Sequence, residues 1–287
     1  MLVSNTLVRR SFGSELRALL AMARKEWTIF RRYPSWVVAF LIWPVLFPFG
    51  YIFTAKALSG PGGMAATTFG SRAGTTDYAS FIVIGATLYM WLNITLWDVG
   101  LQLRQEQMRG TLESNWLCPI WRISLMLGGS LTKLATALMF LAITIAEFWL
   151  LFGIQLLRGN GALLLMLLVL LIASIYGIGI AFASLVLRFK EANAMVFLVR
   201  GIFLVFCGTT YPIEVMPQWM QQISAVLPLT YANHALRMVI LREASFADVW
   251  PDVRALLIFA VALPLLGYTA FHIIEQQARR TGALGQY

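Results

Sequence analysis

The densest group of residues that could do chemistry is a polar segment, residues 102–122, between two long apolar runs. Within it, Glu106 and Arg109 are three positions apart, a spacing at which two side chains of one helix can form an ion pair. Gly110 would cost about 1 kcal/mol inside a helix, so we expect it to separate an incoming helix from a new short one that Thr111 caps. The segment is therefore predicted to be ordered, and an ordinary solvated loop is the alternative.

Two lone charges inside apolar runs, Glu147 and Arg200, form a second group. Ionisable side chains within a membrane are costly and are functional candidates by default. Arg200 lies roughly 15 Å beyond the preceding polar loop at 1.5 Å per residue, which places a cation near the middle of the membrane. The two residues could neutralise each other as a structural ion pair, or they could line a path for substrate or protons.

Patterns typical of enzymes do not occur in the sequence. None of the four lysines follows a glycine, so we expect no loop that holds ATP phosphates. His234 and His272 are too far apart to suggest a metal pair, and no Ser-His-Asp or HExxH pattern is present. Cys118 and Cys207 form no CxxC motif. We therefore expect neither an enzyme nor a metal site.

The composition predicts a membrane protein. The chain has 287 residues, of which 59% are hydrophobic and 12% charged, and its mean hydropathy is +0.75. These values are typical of a helical protein with several membrane spans and exclude an ordinary soluble domain. The net charge of +9 would suggest nucleic acid as the partner of a soluble protein. Here it first has to be divided between the two sides of the membrane, and no nucleic acid partner is expected.

The elements that must position these residues are predicted to be all helical. Residues 14–33 read as a basic amphipathic helix that Pro34 ends. We expect this helix to lie in the headgroup plane, where it binds membrane lipid, and a soluble partner-binding helix is the alternative. Its apolar stripe is Leu16, Leu20, Ala23, Trp27 and Phe30.

We divide the chain into this cytosolic interfacial segment, 1–34, and a transmembrane domain, 35–287. The six predicted spans cover residues 35–55, 78–101, 133–157, 162–187, 192–210 and 254–274, and residues 56–77 are expected to form an outer loop.

Residues 211–252 hold two apolar helices that are too short to span a membrane. Pro228 separates them, and Thr230 is placed to cap the second one. Aromatic residues at their ends suit the membrane interface. We predict a re-entrant helical hairpin that dips into the outer leaflet, with four marker residues: Pro217, Trp219, Pro228 and Tyr231.

The distribution of basic residues gives the orientation. With both termini in the cytosol, fourteen basic residues fall inside and six outside. Because basic residues concentrate on the cytosolic side, this ratio supports the assignment. It also places the polar segment 102–122 in the cytosol.

Two strings of residues resemble a known family. Glu106-x-x-Arg109-Gly110-Thr111-Leu112-Glu113 followed by Pro119 resembles the cytosolic signature of the ABC type 2 transporter permeases. The strings Pro212-x-x-x-Met216-Pro217-x-Trp219 and Leu227-Pro228-Leu229-Thr230-Tyr231 are similar to the re-entrant outer helices of the same family. The resemblance extends over nearly the whole chain.

This resemblance implies the membrane subunit of a bacterial or archaeal exporter in the cytoplasmic (inner) membrane. Segment 102–122 would be a coupling helix that docks on a separate ATPase subunit, which would bind ATP and Mg. Two copies of that ATPase and a second permease subunit, in a homodimer or a heterodimer, would complete the transporter. The residues that the resemblance assigns to coupling are Glu106, Arg109, Gly110, Thr111, Leu112, Glu113, Trp116 and Leu117. Burial of Trp116 against the protein's own inner helix ends is the alternative to docking.

The substrate class is predicted more coarsely. Apolar spans rich in Met and Phe favour a hydrophobic or amphipathic cargo such as a drug, a lipid or a lipid-linked glycan. An ion-coupled carrier or a passive channel would work without an ATPase. A carrier would be favoured by inverted repeats or paired broken helices, and we see no such symmetry in the sequence.

Overall fold

In the computed structural model, residues 12–58, 64–111, 114–115, 118, 122–188 and 192–281 are described. All regular elements in these ranges are helical, which confirms the all-α prediction. A short 3₁₀ turn, Ile213–Val215, precedes α9. The α-helices are α1 Phe12–Arg32, α2 Ser35–Leu58, α3 Met64–Ala73, α4 Tyr78–Asp98, α5 Gln102–Met108, α6 Arg122–Phe152, α7 Gly161–Arg188, α8 Ala192–Phe206, α9 Gln218–Ser224, α10 Pro228–Arg242 and α11 Trp250–Thr281.

Five of the described helices are long and apolar enough to cross a membrane. Their apolar parts are Val37–Ala57, Tyr78–Asp98, Gly128–Phe152, Gly161–Leu185 and Trp250–Ile274. The fifth predicted span corresponds to α8, which has 15 residues and is shorter than the roughly 20 that a full crossing needs. We predicted that this span extends to Thr210, but the helix ends at Phe206. The chain then turns at Gly208, whose φ is +61°.

Two features of the spans determine how they pack. Pro44 and Pro48 lie inside α2, and both are buried, so the prolines face protein rather than lipid. The small residues of α7 allow close packing: a Cβ on Gly177 would lie 2.5 Å from the nitrogen of Pro264 in α11. Such close backbone approach is how membrane helices associate without a hydrophobic driving force.

The outer segment 56–77 differs from its prediction, because it contains a helix where we expected a loop. The helix α3 ends at Gly74, which adopts a left-handed φ of +68°. The carbonyl of Gly74 accepts a hydrogen bond from Nε of Arg242, at 2.9 Å. The Phe69 ring packs edge-on against Phe81 with centroids 5.1 Å apart. Long-range contacts therefore stabilise a helix that local composition did not indicate.

The core of the described chain lies around α4. This helix begins at Asp77, whose side chain accepts from the amide of Ser80, and it is buried along most of its length. It contacts α2, α6, α7, α8 and α10. Its inner end therefore leads directly from the centre of the protein into α5 and the polar segment.

Candidate coupling site and inner cavity

The polar segment begins as predicted, with a short helix that stops at Gly110. The glycine adopts φ +69°, a conformation that costs other residues energy. The amide of Thr111 then bonds back to the carbonyl of Glu106, at 3.0 Å, which is the closing bond of a left-handed helix end. The amide of Asn115 donates to the carbonyl of Thr111, at 3.0 Å. A new helical turn therefore starts at Thr111, and α5 is separate from it.

Glu106 is the centre of this segment. Its side chain is only 4% exposed. Its Oε1 lies 2.5 Å from Nζ of Lys25 and 3.5 Å from the guanidinium of Arg109. Its Oε2 accepts from the hydroxyl of Thr111, at 2.6 Å, and from the amide group of Asn115, at 2.9 Å. The predicted pairing with Arg109 is present, and the Thr111 hydroxyl donates to Glu106. The predicted cap of the next turn involves residues outside the described part of the chain.

The surroundings of Glu106 keep it ionised. Burial alone would raise the pKa of this carboxyl, but the hydrogen bonds from Lys25 and Thr111 and the charges of Lys25 and Arg109 outweigh burial. The net pKa lies below the usual range of a glutamate. A buried charge is tolerated when it is paired and hydrogen-bonded in this way.

The helix α1, which we predicted to be interfacial, packs on α6 through a mixed face. Its buried positions are Glu15, Met22 and Glu26. Ser124 donates to Glu15, at 2.7 Å. In the predicted apolar stripe, Leu16, Leu20 and Trp27 are exposed, whereas Ala23 and Phe30 are partly buried.

A row of small residues on α6 explains this packing. Thr132 donates to the carbonyl of Ala23, at 2.9 Å. A Cβ on Gly128 would lie 2.6 Å from the carbonyl oxygen of Leu19. We placed the start of the third span at Lys133, but its helix already begins at Arg122 because its first turns receive α1. The spacing of Ser124, Gly128 and Thr132 is the signal that could have indicated this contact.

Four further charged residues join Glu106 and Arg109, and sequence reasoning missed their common contacts. Glu26 of α1 is 5% exposed and lies 3.5 Å from Arg109 and 3.9 Å from Lys133. Lys133 of α6 lies 3.4 Å from Asp98 at the end of α4. We call the set the inner charge network: Lys25, Glu26, Asp98, Glu106, Arg109 and Lys133. It connects α1, α4, the polar segment and α6.

A cavity of about 570 Å³ opens beside the inner charge network. It is lined from α1, α2, α4, α6 and α8, and Glu26, Asp98 and Lys133 form part of its wall. Arg200 lies on the same wall, whereas Glu147 is not among the described lining residues. The described ion pairs do not include one between Glu147 and Arg200. The structure therefore brings Arg200, and not Glu147, to the inner cavity.

On the outer side, the guanidinium of Arg237 in α10 forms hydrogen bonds to three backbone carbonyls. It donates to the carbonyl of Phe81, at 3.0 Å and 3.2 Å, and to the carbonyls of Gly208 and Thr209, at 2.7 Å each. It also stacks on the Phe81 ring, 3.4 Å from the centroid. We call this arrangement the outer anchor. It joins the turn after α8, α10 and the start of α4.

The four marker residues of the hairpin lie at its turns. Pro217 immediately precedes α9, and Trp219 is 59% exposed with its ring near Phe206. Pro228 is the first residue of α10, so the helix starts there and not after a cap at Thr230. Proline is favoured at that position because its amide needs no partner. The hydroxyl of Tyr231 donates to the carbonyl of Ala225, at 2.8 Å, which ties the two helices together.

The structure thus brings four predicted coupling residues, Glu106, Arg109, Gly110 and Thr111, into one compact turn. Four others lie outside the described residues: Leu112, Glu113, Trp116 and Leu117.

Comparison with known proteins identifies the family. The model of the ABC-2 type transporter family matches residues 17–241. The chain is 24% identical over 199 residues to the probable multidrug ABC transporter permease YbhR of Escherichia coli (strain K12), which is 68% of this chain and 53% of the relative. The same protein of Escherichia coli O157:H7 gives the same values. The chain spans about half the length of these curated relatives. Because the family model covers well over half of the chain, this protein belongs to the ABC-2 type transporter family.

Proposed function

We propose that this chain is the permease subunit of an ATP-driven exporter in a bacterial or archaeal cytoplasmic membrane. It moves a hydrophobic or amphipathic substrate outward and contains no ATPase of its own. ATP and Mg are bound by two copies of a separate ATPase subunit. A second permease subunit, in a homodimer, completes the transporter. Membership of the ABC-2 type family supports this proposal.

The topology that we propose has six crossings and two cytosolic termini. Five crossings are made by the long apolar helices. The remaining crossing is made by residues 192–210, which comprise α8 and the turn after it, and the hairpin α9–α10 dips into the outer leaflet without crossing. Residues 1–34 form the interfacial segment, and residues 35–287 form the transmembrane domain. The exposed part of the apolar stripe of α1 supports its place in the headgroup layer.

The observation that carries the coupling role is the environment of Glu106. The polar segment is built around one buried, ionised carboxylate with four donors, and this carboxylate also holds Lys25 of α1. A displacement of the turn at Thr111 would therefore be transmitted directly to α1, and through Glu26 and Lys133 to α4 and α6. We propose that the residues after Thr111 contact the ATPase and that its movement causes this displacement.

Reconstitution with a candidate ATPase subunit tests the proposal. Replacing Thr111-Leu112-Glu113 by Gly-Ser-Gly should abolish substrate transport and release the ATPase during purification. As a control, the same replacement of Ala65-Ala66-Thr67 in the outer helix α3 should leave the ATPase bound. If transport persists after the first replacement, or without any ATPase, the coupling assignment is wrong and a carrier or channel is indicated.

A further inference from the structure

The inner cavity has the size and the lining of a small-molecule site. Its volume of about 570 Å³ lies within the roughly 300–1,000 Å³ that such sites occupy. Much of the wall is aromatic and includes Trp43, Phe47 and Trp97. Phe47 is held by stacking on Tyr89, and Trp97 by an edge contact with Phe197. These rings offer a fixed apolar surface to a flat or chain-like ligand.

Three polar groups on the wall of this cavity lack a hydrogen-bond partner within the described part of the chain. They are Oε1 of Glu26, Oδ1 of Asn93 and Nε of Arg200, and all three atoms are buried. Buried polar atoms in folded proteins are nearly always satisfied. Oε1 of Glu26 and Oδ1 of Asn93 are acceptors, and Oε1 of Glu26 already lies 3.7 Å from Lys25 and 3.5 Å from Arg109. Nε of Arg200 is the donor among the three, and an acceptor group of a ligand would complete it.

The charges of the wall differ in how well they are balanced. Glu26 and Asp98 both lie within 4 Å of Lys133, and Glu26 also contacts Arg109. Among the described residues, no carboxylate lies within 4 Å of Arg200. The guanidinium is instead 5.5 Å from the centre of the Phe197 ring. An uncompensated cation in an apolar wall attracts an anion.

The position of Arg200 makes its charge available to the cavity. Arg200 is eight residues beyond Ala192, so its Cα lies about 12 Å along α8 from the start of the helix. Helical side chains point toward the amino terminus of their helix, and the contact with Phe197, almost one turn earlier, agrees with this direction. The guanidinium therefore points toward the start of α8 and lines the same cavity as the aromatic wall.

We propose that the inner cavity binds an amphipathic anion. The apolar body of the ligand packs against Trp43, Phe47 and Trp97, and its carboxylate or phosphate group pairs with Arg200, which determines specificity for negative charge. As a statement about cargo, this inference rests on the proposed export function. As a statement about binding, it holds for the permease alone.

Two probes of opposite charge test the specificity on the full chain in phosphatidylcholine nanodiscs. Dansylglycine is an anion, and dansylcadaverine is a cation with the same fluorophore. Energy transfer from the tryptophans of the protein to the dansyl group reports binding, and its dependence on Arg200 assigns the binding to the cavity. We expect the wild-type protein to bind the anion about tenfold more tightly than the cation, an energy that one ion pair in an apolar site readily supplies.

Arg200→Gln should weaken binding of dansylglycine about tenfold and leave dansylcadaverine within about twofold, because only the anion uses the charge. Arg200→Lys should keep part of the preference. Arg158→Gln is the matched control, since Arg158 lies in the outer turn and pairs with the exposed Glu243 at 2.7 Å. An unchanged unfolding midpoint shows that Arg200→Gln is folded. Equal binding of the anion to Arg200→Gln and wild type, or a wild-type preference for the cation, would overturn the proposal.

A third arm distinguishes the source of the anion. Phosphatidylglycerol in the nanodisc that displaces dansylglycine from wild type assigns the site to an anionic membrane lipid. If phosphatidylglycerol does not displace dansylglycine, the site is assigned to a smaller amphiphile. Either result agrees with an anionic ligand. Because these measurements need no ATPase, they are independent of the coupling experiment. A failed coupling test would leave Arg200-dependent binding in place, and a failed binding test would leave coupling in place.

Discussion

The inner charge network and the outer anchor hold the two ends of the same helix bundle by different kinds of contact. In the inner charge network, Glu26 and Glu106 share cations from several helices, and the partners are side chains on both sides of each pair. In the outer anchor, one guanidinium binds three backbone carbonyls. Side-chain ion pairs can exchange partners by rotamer changes, whereas carbonyls move only with the chain. The inner end is therefore suited to rearrangement and the outer end to a fixed shape.

Hydrogen bonds near the outer anchor extend this contrast. Asn233 donates to the carbonyl of Cys207, at 2.9 Å, and Ser224 donates to the carbonyl of Phe206, at 2.5 Å. Both bonds again join a side chain of the hairpin to the backbone at the end of α8 or just after it. The turn at Gly208 is thus fixed from three sides. Breaking the outer anchor should cost more stability than breaking any one inner pair.

The largest effect is expected for Arg237→Met. The buried carbonyls of Phe81, Gly208 and Thr209 would lose their donor, and each unsatisfied group costs about 1–3 kcal/mol. We expect a loss of at least about 3 kcal/mol, measured as a lower thermal unfolding midpoint in detergent.

Gly85→Ala tests the same site from the other side. A Cβ at Gly85 would lie 2.0 Å from the Thr209 carbonyl oxygen and 2.3 Å from Nη2 of Arg237. The matched control is Gly201→Ala in α8, where no atom lies within 4 Å and alanine should favour the helix. Equal midpoints for the two alanine variants would contradict the close packing at the outer anchor.

A smaller effect is expected for Glu106→Gln at the inner end. The neutral amide keeps the size of the side chain but loses its charge, so the donors of Lys25 and Arg109 lose a strong acceptor. We expect a loss of about 1–3 kcal/mol and less for Lys25→Met, because Lys25 is 34% exposed. The double variant should lose about 1 kcal/mol less than the sum of the two single variants. Strict additivity would show that this ion pair does not contribute.

The smallest effect concerns His234, whose Nδ1 lies 2.7 Å from Oδ2 of Asp252. The hydrogen bond to Asp252 raises the pKa of His234, burial and Arg237 lower it, Glu214 raises it, and the net pKa lies above the usual 6.5. The charged form is therefore favoured by folding. Its stabilisation is fully present below about pH 6.5 and is lost as the pH rises through the raised pKa.

The measurement compares wild type with His234→Gln between about pH 5.5 and about pH 9, a range that brackets the ordinary histidine pKa. Because the imidazole is 56% exposed, the difference in stability should stay below about 1 kcal/mol at low pH and shrink as the pH rises. A difference that grows with pH would reverse the sign and refute the pairing.

The sequence predicted what depends on local chemistry. The end of α5 just before Gly110 and the pairing of Glu106 with Arg109 follow from short-range rules of helix ends and spacing. The break of the hairpin at Pro228 follows from the same rules.

Contacts between distant segments could not be predicted in this way. Glu26 looked like one more polar residue of an interfacial helix, since its partners Arg109 and Lys133 belong to other parts of the chain. The helix α3 and the short α8 were missed because tertiary contacts and a turn at Gly208 fix their limits. The sequence left two roles open for Arg200 because depth along a helix does not tell which neighbour a side chain faces.

The placement of α4 gives the two ends of the protein a mechanical connection. Asp98 at one end of α4 pairs with Lys133, and the carbonyl of Phe81 near the other end receives Arg237. The 17 steps from Phe81 to Asp98 make a helical rod of about 26 Å. A stiff rod that is held at both ends tilts as a unit, so a rocking movement that begins at the inner charge network would displace the hairpin at the other end of α4 without bending the helix.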